Sequence, residues 1–178
     1  MKRELIPQII WLGEVENIPV MIENRLSGQT IDSVWKFLNN QDKDSIIDDI
    51  IKFLINIKSI KEKEFYSVNN GNSYNKYWQF LIDGLETKIL KIKEFTEVED
   101  IIKEISSILL EDNTKKVFSE TTPSLVHGDL IIHNLLTDQH HLTGVLDWEF
   151  AEWGDSDYDL ARIFYYHECA KAYEQRYR

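Results

Sequence analysis

Side chains that can do chemistry are concentrated between Leu125 and Phe150, in the stretch LVHGDLIIHNLLTDQHHLTGVLDWEF. This stretch contains four of the five histidines of the chain, three aspartates and one asparagine, all placed between short apolar runs. Imidazole and carboxylate groups transfer protons and bind transition metals, and carboxylate and amide oxygens bind Mg²⁺. Three interpretations follow: a metal site, a catalytic loop, or a polar turn between buried strands.

The turn and the metal site each explain part of the pattern. As a turn, His127, Asp129 and Asn134 would satisfy backbone groups, as Asp and Asn side chains commonly do. A metal-dependent hydrolase would instead use His127, Asp129, His133, His140, His141 and Asp147, because histidine and carboxylate ligands suit Zn or Fe. The spacing matches none of the usual helical zinc motifs, however, and the pair at 140 and 141 lies in a predicted exposed turn.

The catalytic-loop interpretation rests on intervals. Asn134 follows Asp129 after four intervening residues, the interval between base and metal ligand in the H-x-D-x-x-x-x-N loop of kinases. Asp147 follows an apolar strand, where the kinase fold has its second metal-binding aspartate. Phosphoryl transfer needs one carboxylate for the acceptor hydroxyl, and a carboxylate and an amide oxygen to hold Mg²⁺ on the phosphates. Because four specified residues at fixed offsets match by chance only about once in 10⁵ start positions, the combination favours a kinase.

Composition and charge limit the other classes of function. With 178 residues, 43% of them hydrophobic, the chain is globular, with one sizeable core or two small lobes. A formal net charge of −11 argues against nucleic acid as a partner, because phosphate binding needs clustered Lys and Arg. No apolar run approaches the roughly 20 residues of a membrane span, and no signal peptide is recognisable. We therefore expect a cytoplasmic protein without a membrane partner.

The elements that must position the polar cluster begin with a hairpin and helices. IPQIIWLGE and IPVMIENRL predict a β-hairpin, and Thr30 or Asp32 is a candidate cap for a short helix. A longer helix, with Asp44 or Ser45 as its predicted cap, carries apolar residues at helical spacing from Ile46 to Ile57. KEKEFYSVNNGNS is predicted as a polar connector.

Two further helices are predicted after this connector, with apolar stripes from Trp78 to Ile92 and from Val98 to Leu109. After Pro123, SLVH, NLLT and TGVLDW are typical of short strands, and the segment from Asp155 returns to helical spacing. This order predicts an α+β fold with a mainly helical body.

The stretch LVHGDLIIHNLL, followed by LTGVLDWEFAEWGDSDYDLARIF, resembles the aminoglycoside phosphotransferase family of small-molecule kinases. IPQIIWLGEVENIPVMIENRLSGQTI is similar to the last N-lobe strands and hinge of that family. The resemblance implies a protein-kinase-like fold, with residues 1–28 as residual N-lobe strands and hinge and residues 29–178 as a partial, mainly helical C-lobe containing the catalytic-loop β-hairpin. It also implies ATP or GTP as co-substrate, Mg²⁺ as cofactor, and a small, cationic acceptor of the aminoglycoside type.

Carried over by position, the resemblance makes Asp129 the catalytic base and makes Asn134 and Asp147 the Mg²⁺ ligands. It makes His127 a support of the loop.

Five further positions follow from the same resemblance. The backbone near Glu23, Asn24 and Leu26 would bind the nucleotide base. Asp155 and Asp159 match the second acidic motif of the family, and their spacing at a helix start favours capping and bracing of the loop over chemistry.

The chain also departs from the family pattern, because it has no Gly-rich phosphate loop and no recognisable phosphate-binding lysine on an early strand. We expect it to correspond to the central part of such an enzyme. A non-catalytic kinase-like fragment and a kinase for another small alcohol, such as a macrolide, choline or homoserine, therefore remain alternatives.

Overall fold

The computed structural model describes residues 5–68, 71–91 and 96–166 of the chain. The strands are β1 (Ile9–Val15), β2 (Ile18–Glu23), β3 (Gln29–Thr30), β4 (Phe65–Ser67), β5 (Ser73–Tyr74), β6 (Ser124–Val126), β7 (Leu135–Thr137), β8 (Leu142–Val145) and β9 (Glu152–Gly154). The helices are α1 (Ile31–Val34), α2 (Asn40–Lys58), α3 (Tyr77–Lys91), α4 (Thr96–Leu110), α5 (Asp112–Phe118) and α6 (Asp157–Tyr166), with a 3₁₀ turn at Trp35–Phe37. The predicted mixture of helices and strands is confirmed.

The chain divides into two compact units, each assembled from separate segments. Unit 1 comprises Met1–Asn56, Gly128–Glu149 and Asp159–Arg178, and unit 2 comprises Ile57–His127 and Phe150–Tyr158. These units are compact bodies, whereas the predicted division at residue 28 separates two kinase lobes. The division into lobes stays a prediction.

The N-terminal part of unit 1 is the predicted hairpin. β1 and β2 pair antiparallel, and the turn between them has positive φ at both Glu16 and Asn17 (54° and 65°). Positive φ at both central residues matches the right-handed twist of the two strands. Consecutive side chains of β1 are exposed: Ile10 by 68% and Leu12 by 69%, with Trp11 between them at 41%. Because neighbouring side chains point to opposite faces of a strand, both faces of this hairpin are apolar and open.

The core of unit 1 lies on the predicted apolar face of α2, where Ile46, Ile47 and Ile50 are almost completely buried. A three-stranded sheet of order β3-β7-β8 contributes Leu135 and Val145, which are paired with each other and fully buried. The β7–β8 hairpin of this sheet lies between Asn134 and Asp147, the two predicted Mg²⁺ ligands.

The predicted start of α2 was wrong. The helix begins at Asn40, where we had expected Asp44 or Ser45 to cap it, and Asn39 Oδ1 accepts the backbone N–H of Asp42 at 2.9 Å. Several capping residues follow one another here, and the first of them captures the N–H groups at the start of the helix.

Unit 2 contains a sheet of order β5-β4-β9-β6. The predicted connector KEKEFYSVNNGNS is partly wrong, because β4 and β5 lie within it. Phe65 of β4 is only 2% exposed and packs with Tyr77 and Phe80 of α3 in an aromatic cluster. A single buried aromatic residue therefore fixes a segment whose composition is that of a loop.

The predicted apolar stripe of α4 is buried only in part. Leu109 is buried, whereas Ile101 and Ile105 are exposed. Helix α5 was not predicted, and Ile92 at the end of the predicted second helix lies outside the described residues. Within the described ranges, no helix is both long and apolar enough to cross a bilayer.

Candidate active site

The loop between β6 and β7 carries the predicted base. Gly128 adopts a φ of +85°, a conformation that glycine takes without strain. Two residues of the loop, Leu130 and Ile132, are buried and anchor it in unit 1. His127, the last residue of the first segment of unit 2, is completely buried. Asp129 thus stands in a loop whose backbone is fixed on both sides of the carboxylate.

The carboxylate of Asp129 is bonded through both oxygens. The Nδ2 group of Asn134 donates to Asp129 Oδ2 at 3.1 Å and to the Asp129 carbonyl at 2.9 Å. The guanidinium of Arg162 forms an ion pair with Asp129 Oδ1. Both side chains of this ion pair are mostly buried, with exposures of 28% for Arg162 and 20% for Asp129. Sequence reasoning missed Arg162, although it follows Asp159 by three positions in the motif DYDLAR and therefore shares its helix face.

The two aspartates of the second acidic motif have separate partners. Asp159 is 1% exposed, and its Oδ1 accepts the backbone N–H of Gly128 at 3.0 Å within unit 1. In unit 2, Asp155 Oδ1 accepts the backbone N–H of Asp157, at the start of α6. Burial raises the pKa of Tyr77 far above its ordinary value, and the charges of Glu152 and Asp155 add to this effect.

Asn134 and Asp147 lie at the same end of the β7–β8 hairpin. Asn134 immediately precedes β7, and its carbonyl accepts the N–H of Leu146 at 2.8 Å. Asp147 is exposed and has a φ of +66°, which turns the chain away from β8. The next residue, Trp148, donates its indole N–H to the Val145 carbonyl and packs edge-on against Phe53 of α2. The position of Asp147 is therefore fixed by its neighbour.

These two residues fit a Mg²⁺ ion by their chemistry. The Asn134 amide nitrogen points to two oxygens of Asp129, so its Oδ1 atom is the one directed elsewhere. An amide oxygen and a carboxylate are hard ligands, and Mg²⁺ in nucleotide sites typically uses one or two such groups together with phosphate oxygens. Two protein ligands are enough for a Mg²⁺ ion that is also bound by nucleotide phosphates.

The histidines of the stretch do not converge on a common centre. Each has an aspartate near one ring nitrogen: His133 and Asp32 at 3.3 Å, His140 and Asp42 at 2.8 Å, His141 and Asp49 at 2.9 Å. The hydrogen bond to Asp42 raises the pKa of His140. In the part of the chain that the structure describes, no three His, Cys, Asp or Glu side chains are arranged to hold a metal. Three of the ligands considered for a metal-dependent hydrolase, His133, His140 and His141, thus each contact a different aspartate.

A cavity of about 390 Å³ lies beside the hairpin in unit 1. Its lining includes Glu23, Asn24 and Leu26, the three positions predicted to meet a nucleotide base, and also Arg25, Gly28, Leu136 and Leu146. The backbone N–H of Asn24 donates to the Gln8 carbonyl at 3.0 Å and so is engaged within the protein. Sequence reasoning missed Leu136 and Leu146. Their positions in the sequence indicate them, because Leu136 follows Asn134 by two residues and Leu146 immediately precedes Asp147.

The mixed α+β fold and the spacing of Asp129 and Asn134 in one loop are the features that the sequence predicts for a kinase-like phosphotransferase. The chain belongs to the phosphotransferase enzyme family, whose model matches residues 2–178. The resemblance inferred from the sequence is thereby confirmed.

Individual relatives are similar over part of their length. The hygromycin-B 4-O-kinase of Escherichia coli is 43% identical over 54 residues, which are 30% of this chain and 16% of that enzyme. Among solved structures, an apo thermostable mutant of aminoglycoside phosphotransferase APH(4)-Ia matches 100% of this chain and 61% of its own, with a TM-score of 0.72 and 21% identity. The ADP and hygromycin B complex of a D198A variant of that enzyme matches 98% and 61%, with a TM-score of 0.67 and 18% identity.

The GDP and kanamycin complex of APH(2″)-IIIa matches 97% of this chain and 59% of its own, with a TM-score of 0.65 and 18% identity. These matches establish the fold. The chain spans about three-fifths of the length of these solved relatives. Its division into lobes stays a prediction.

Proposed function

We propose that this protein is a Mg²⁺-dependent small-molecule kinase, which transfers the γ-phosphate of ATP or GTP to a hydroxyl group of an aminoglycoside-type antibiotic and so confers resistance. The observation that carries the proposal is the cluster of Asp129, Asn134 and Arg162 in a member of the phosphotransferase enzyme family. Its nucleotide co-substrate makes the cytoplasm the expected compartment.

In this proposal Asp129 is the base. Its carboxylate accepts or orients the proton of the acceptor hydroxyl, while the donors on its two oxygens keep it in one orientation. Asn134 Oδ1 and the Asp147 carboxylate would hold Mg²⁺, which neutralises charge on the nucleotide phosphates when it is bound. His127 supports the loop by its burial, and Asp155 and Asp159 support the start of α6 and the backbone at Gly128.

The nucleotide base would enter the cavity next to the hairpin. Apolar side chains of Leu26, Leu136 and Leu146 line it and offer flat contacts for a purine ring. Because the Asn24 N–H is bonded to Gln8 and Glu23 pairs with Ile9 in the hairpin, the backbone of Leu26 is the better candidate for a hydrogen bond to the base. Both ADP and GDP complexes occur among the structural relatives, which supports either purine.

An aminoglycoside suits the charge of the chain. The formal net charge of −11 attracts a cationic acceptor, and relatives were solved with hygromycin B and with kanamycin. The fold also serves other alcohols, so a macrolide, choline or homoserine is the alternative acceptor class.

A second candidate function is nucleotide binding without transfer. It is favoured by the seven glycines of the sequence, which include no G-x-G spacing of the kind that covers nucleotide phosphates in kinases. Binding of Mg·ATP measured by calorimetry, with no phosphorylated product for any acceptor, would select this candidate.

The Asp129→Asn variant tests the proposed kinase. We expect the parent chain to phosphorylate hygromycin B or kanamycin with Mg·ATP or Mg·GTP, detected by mass spectrometry. The variant should be slower by about 10²- to 10⁴-fold, because asparagine has almost the same shape as aspartate but cannot act as a base.

Asp138→Asn is the matched control, since Asp138 lies in the β7–β8 turn and accepts backbone N–H groups that an amide oxygen can also accept. Transfer by Asp129→Asn at the parent rate would refute the assignment of the base.

A further inference from the structure

Helix α6 presents two charged side chains to two consecutive residues of the catalytic loop. Asp159 Oδ1 accepts the N–H of Gly128 at 3.0 Å, and Arg162 pairs with the carboxylate of Asp129. Residues three positions apart lie on one face of a helix, so one short surface makes both contacts. All four residues belong to unit 1. The helix therefore fixes the loop backbone at one residue and the side chain at the next.

We propose that Arg162 is a positioning residue for Asp129, an inference that rests on the proposed function. Asn134 holds Oδ2 of the carboxylate, and Arg162 holds Oδ1. With a donor on each oxygen, the carboxylate cannot rotate about its Cβ–Cγ bond without breaking a hydrogen bond. Each carboxylate oxygen has two lone pairs, so it can accept more than one donor.

Partial burial makes this ion pair stronger than a typical surface pair. Arg162 and Asp129 are 28% and 20% exposed, so the contact is only partly screened by water. A charged donor on a charged acceptor also gives a shorter and stronger hydrogen bond than a neutral pair. Arginine suits this position better than lysine, because its planar group holds its donors in a fixed geometry.

Loss of Arg162 should affect the rate of transfer more than the binding of nucleotide. Without it, Oδ1 of Asp129 loses its charged donor and the carboxylate spends less time in the orientation that receives the proton. A small misplacement of a catalytic group can cost up to about 100-fold in rate. The cavity beside the hairpin is lined by other residues, so nucleotide affinity should change little.

The experiment compares Arg162→Gln, Arg162→Lys and a control, Lys58→Gln. Lys58 pairs with Asp157 of α6 at 3.3 Å, so its loss tests the effect of a missing ion pair to the same helix. We expect Arg162→Gln to lower kcat by about 10- to 100-fold, with KM for the nucleotide within about twofold of the parent. Arg162→Lys should recover part of the loss, and Lys58→Gln should match the parent.

An unchanged kcat in Arg162→Gln would overturn the inference, and so would a loss of kcat matched by an equal loss of nucleotide binding. A second measurement does not need activity. In urea denaturation, the midpoint shift of Arg162→Gln combined with Asp129→Asn should be smaller than the sum of the two single shifts, because both variants remove the same contact. Additive shifts would refute the pair itself. A parent chain that phosphorylates no acceptor would instead refute the proposed function, which makes the two failures distinguishable.

Discussion

At Asp147 the backbone adopts a φ of +66°, a left-handed conformation in which Asp and Asn are enriched among residues other than glycine. A residue with a larger or branched side chain would be strained there. The aspartate thus has two properties at this position, a tolerance for the turn and a negative charge. Substitutions can separate the two.

Asp147→Asn keeps the tolerance for left-handed backbone and removes the charge. If Asp147 is a Mg²⁺ ligand, we expect transfer to fall by at least about 100-fold while the denaturation midpoint stays near that of the parent. Asp147→Ala should lose the same activity and also about 1 kcal/mol of stability, because alanine is strained at this φ. Activity assays and urea denaturation measure both effects. An Asp147→Asn variant with parental activity would contradict the ligand role.

The three proposed site residues of the loop and hairpin could be identified because a local rule spaces them. Asp129, Asn134 and Asp147 share one loop and hairpin, so the spacing along the chain determines their spacing in space. Arg162 could not be found in this way, since it meets Asp129 across 33 positions. The partners of His140 and His141 are 98 and 92 positions away on α2. Such contacts depend on packing that no local pattern encodes.

Among elements, the long and periodic ones were predictable. The β1–β2 hairpin, α2, α3 and α4 follow from alternation or helical spacing extended over many residues. By contrast, β5 has two residues and β4 and β9 have three each, and they lack the short apolar runs that indicate the equally short β6 and β7. These strands exist because neighbouring strands supply hydrogen bonds, as in the pairing of Tyr66 with Trp153.

The turn between β7 and β8 is attached to α2 through histidine. His140 Nδ1 lies 2.8 Å from Asp42, and Asp138 Oδ1 accepts the backbone N–H groups of both His140 and His141. The sequence predicted these histidines as surface residues of a turn, which their exposure confirms. Their contacts also connect the hairpin that carries Asp147 to the core helix.

The His140–Asp42 contact should make stability depend on pH. The hydrogen bond to Asp42 raises the pKa of His140 above its ordinary value of 6.5, and the charge of Asp138 acts in the same direction. Because the folded state binds the proton more tightly, this contribution is fully present below about pH 6.5 and is lost as the pH rises through the folded-state pKa. Urea denaturation of the parent and of His140→Gln should therefore differ more at pH 5.5 than at pH 8.5.

Asp42→Asn serves as the control for this effect, since it removes the partner and leaves the histidine in place. It should show the same loss of pH dependence as His140→Gln. A difference between parent and variants that is constant from pH 5.5 to 8.5 would mean that the contact does not depend on the charge of the imidazole.

At the scale of the molecule, the β1–β2 hairpin departs from an ordinary protein surface, because many of its described side chains are apolar and exposed. Its exposed apolar residues are Ile9, Ile10, Trp11, Leu12, Val15, Ile18, Met21 and Ile22. A contiguous apolar patch of this kind marks an interaction site or a tendency to associate, and an isolated two-stranded hairpin is only marginally stable in water.

Replacing Ile10 and Leu12 with threonine should reduce self-association of the chain. Threonine keeps the preference for strands, so the hairpin is retained while its apolar area falls. Sedimentation velocity over a tenfold concentration range should show less association than in the parent. Val117→Thr is the control, because Val117 is 72% exposed and lies on a different element, α5. Equal self-association of the parent, the double threonine variant and the control would show that the hairpin does not mediate association.

The segmented construction of the two units has a consequence during protein synthesis. Unit 1 combines three stretches of chain, the last beginning at Asp159, and unit 2 is completed only by Phe150–Tyr158. The early strand β3 pairs with β7, and β4 pairs with β9, so both lack these partners until the later strands have been synthesised. Phe150–Tyr158 must therefore be synthesised before unit 2 can close, and the segment that begins at Asp159 before unit 1 can close. Until then the apolar faces of α2 and β4 stay uncovered, and a chaperone that shields them would decide how much of the product escapes aggregation.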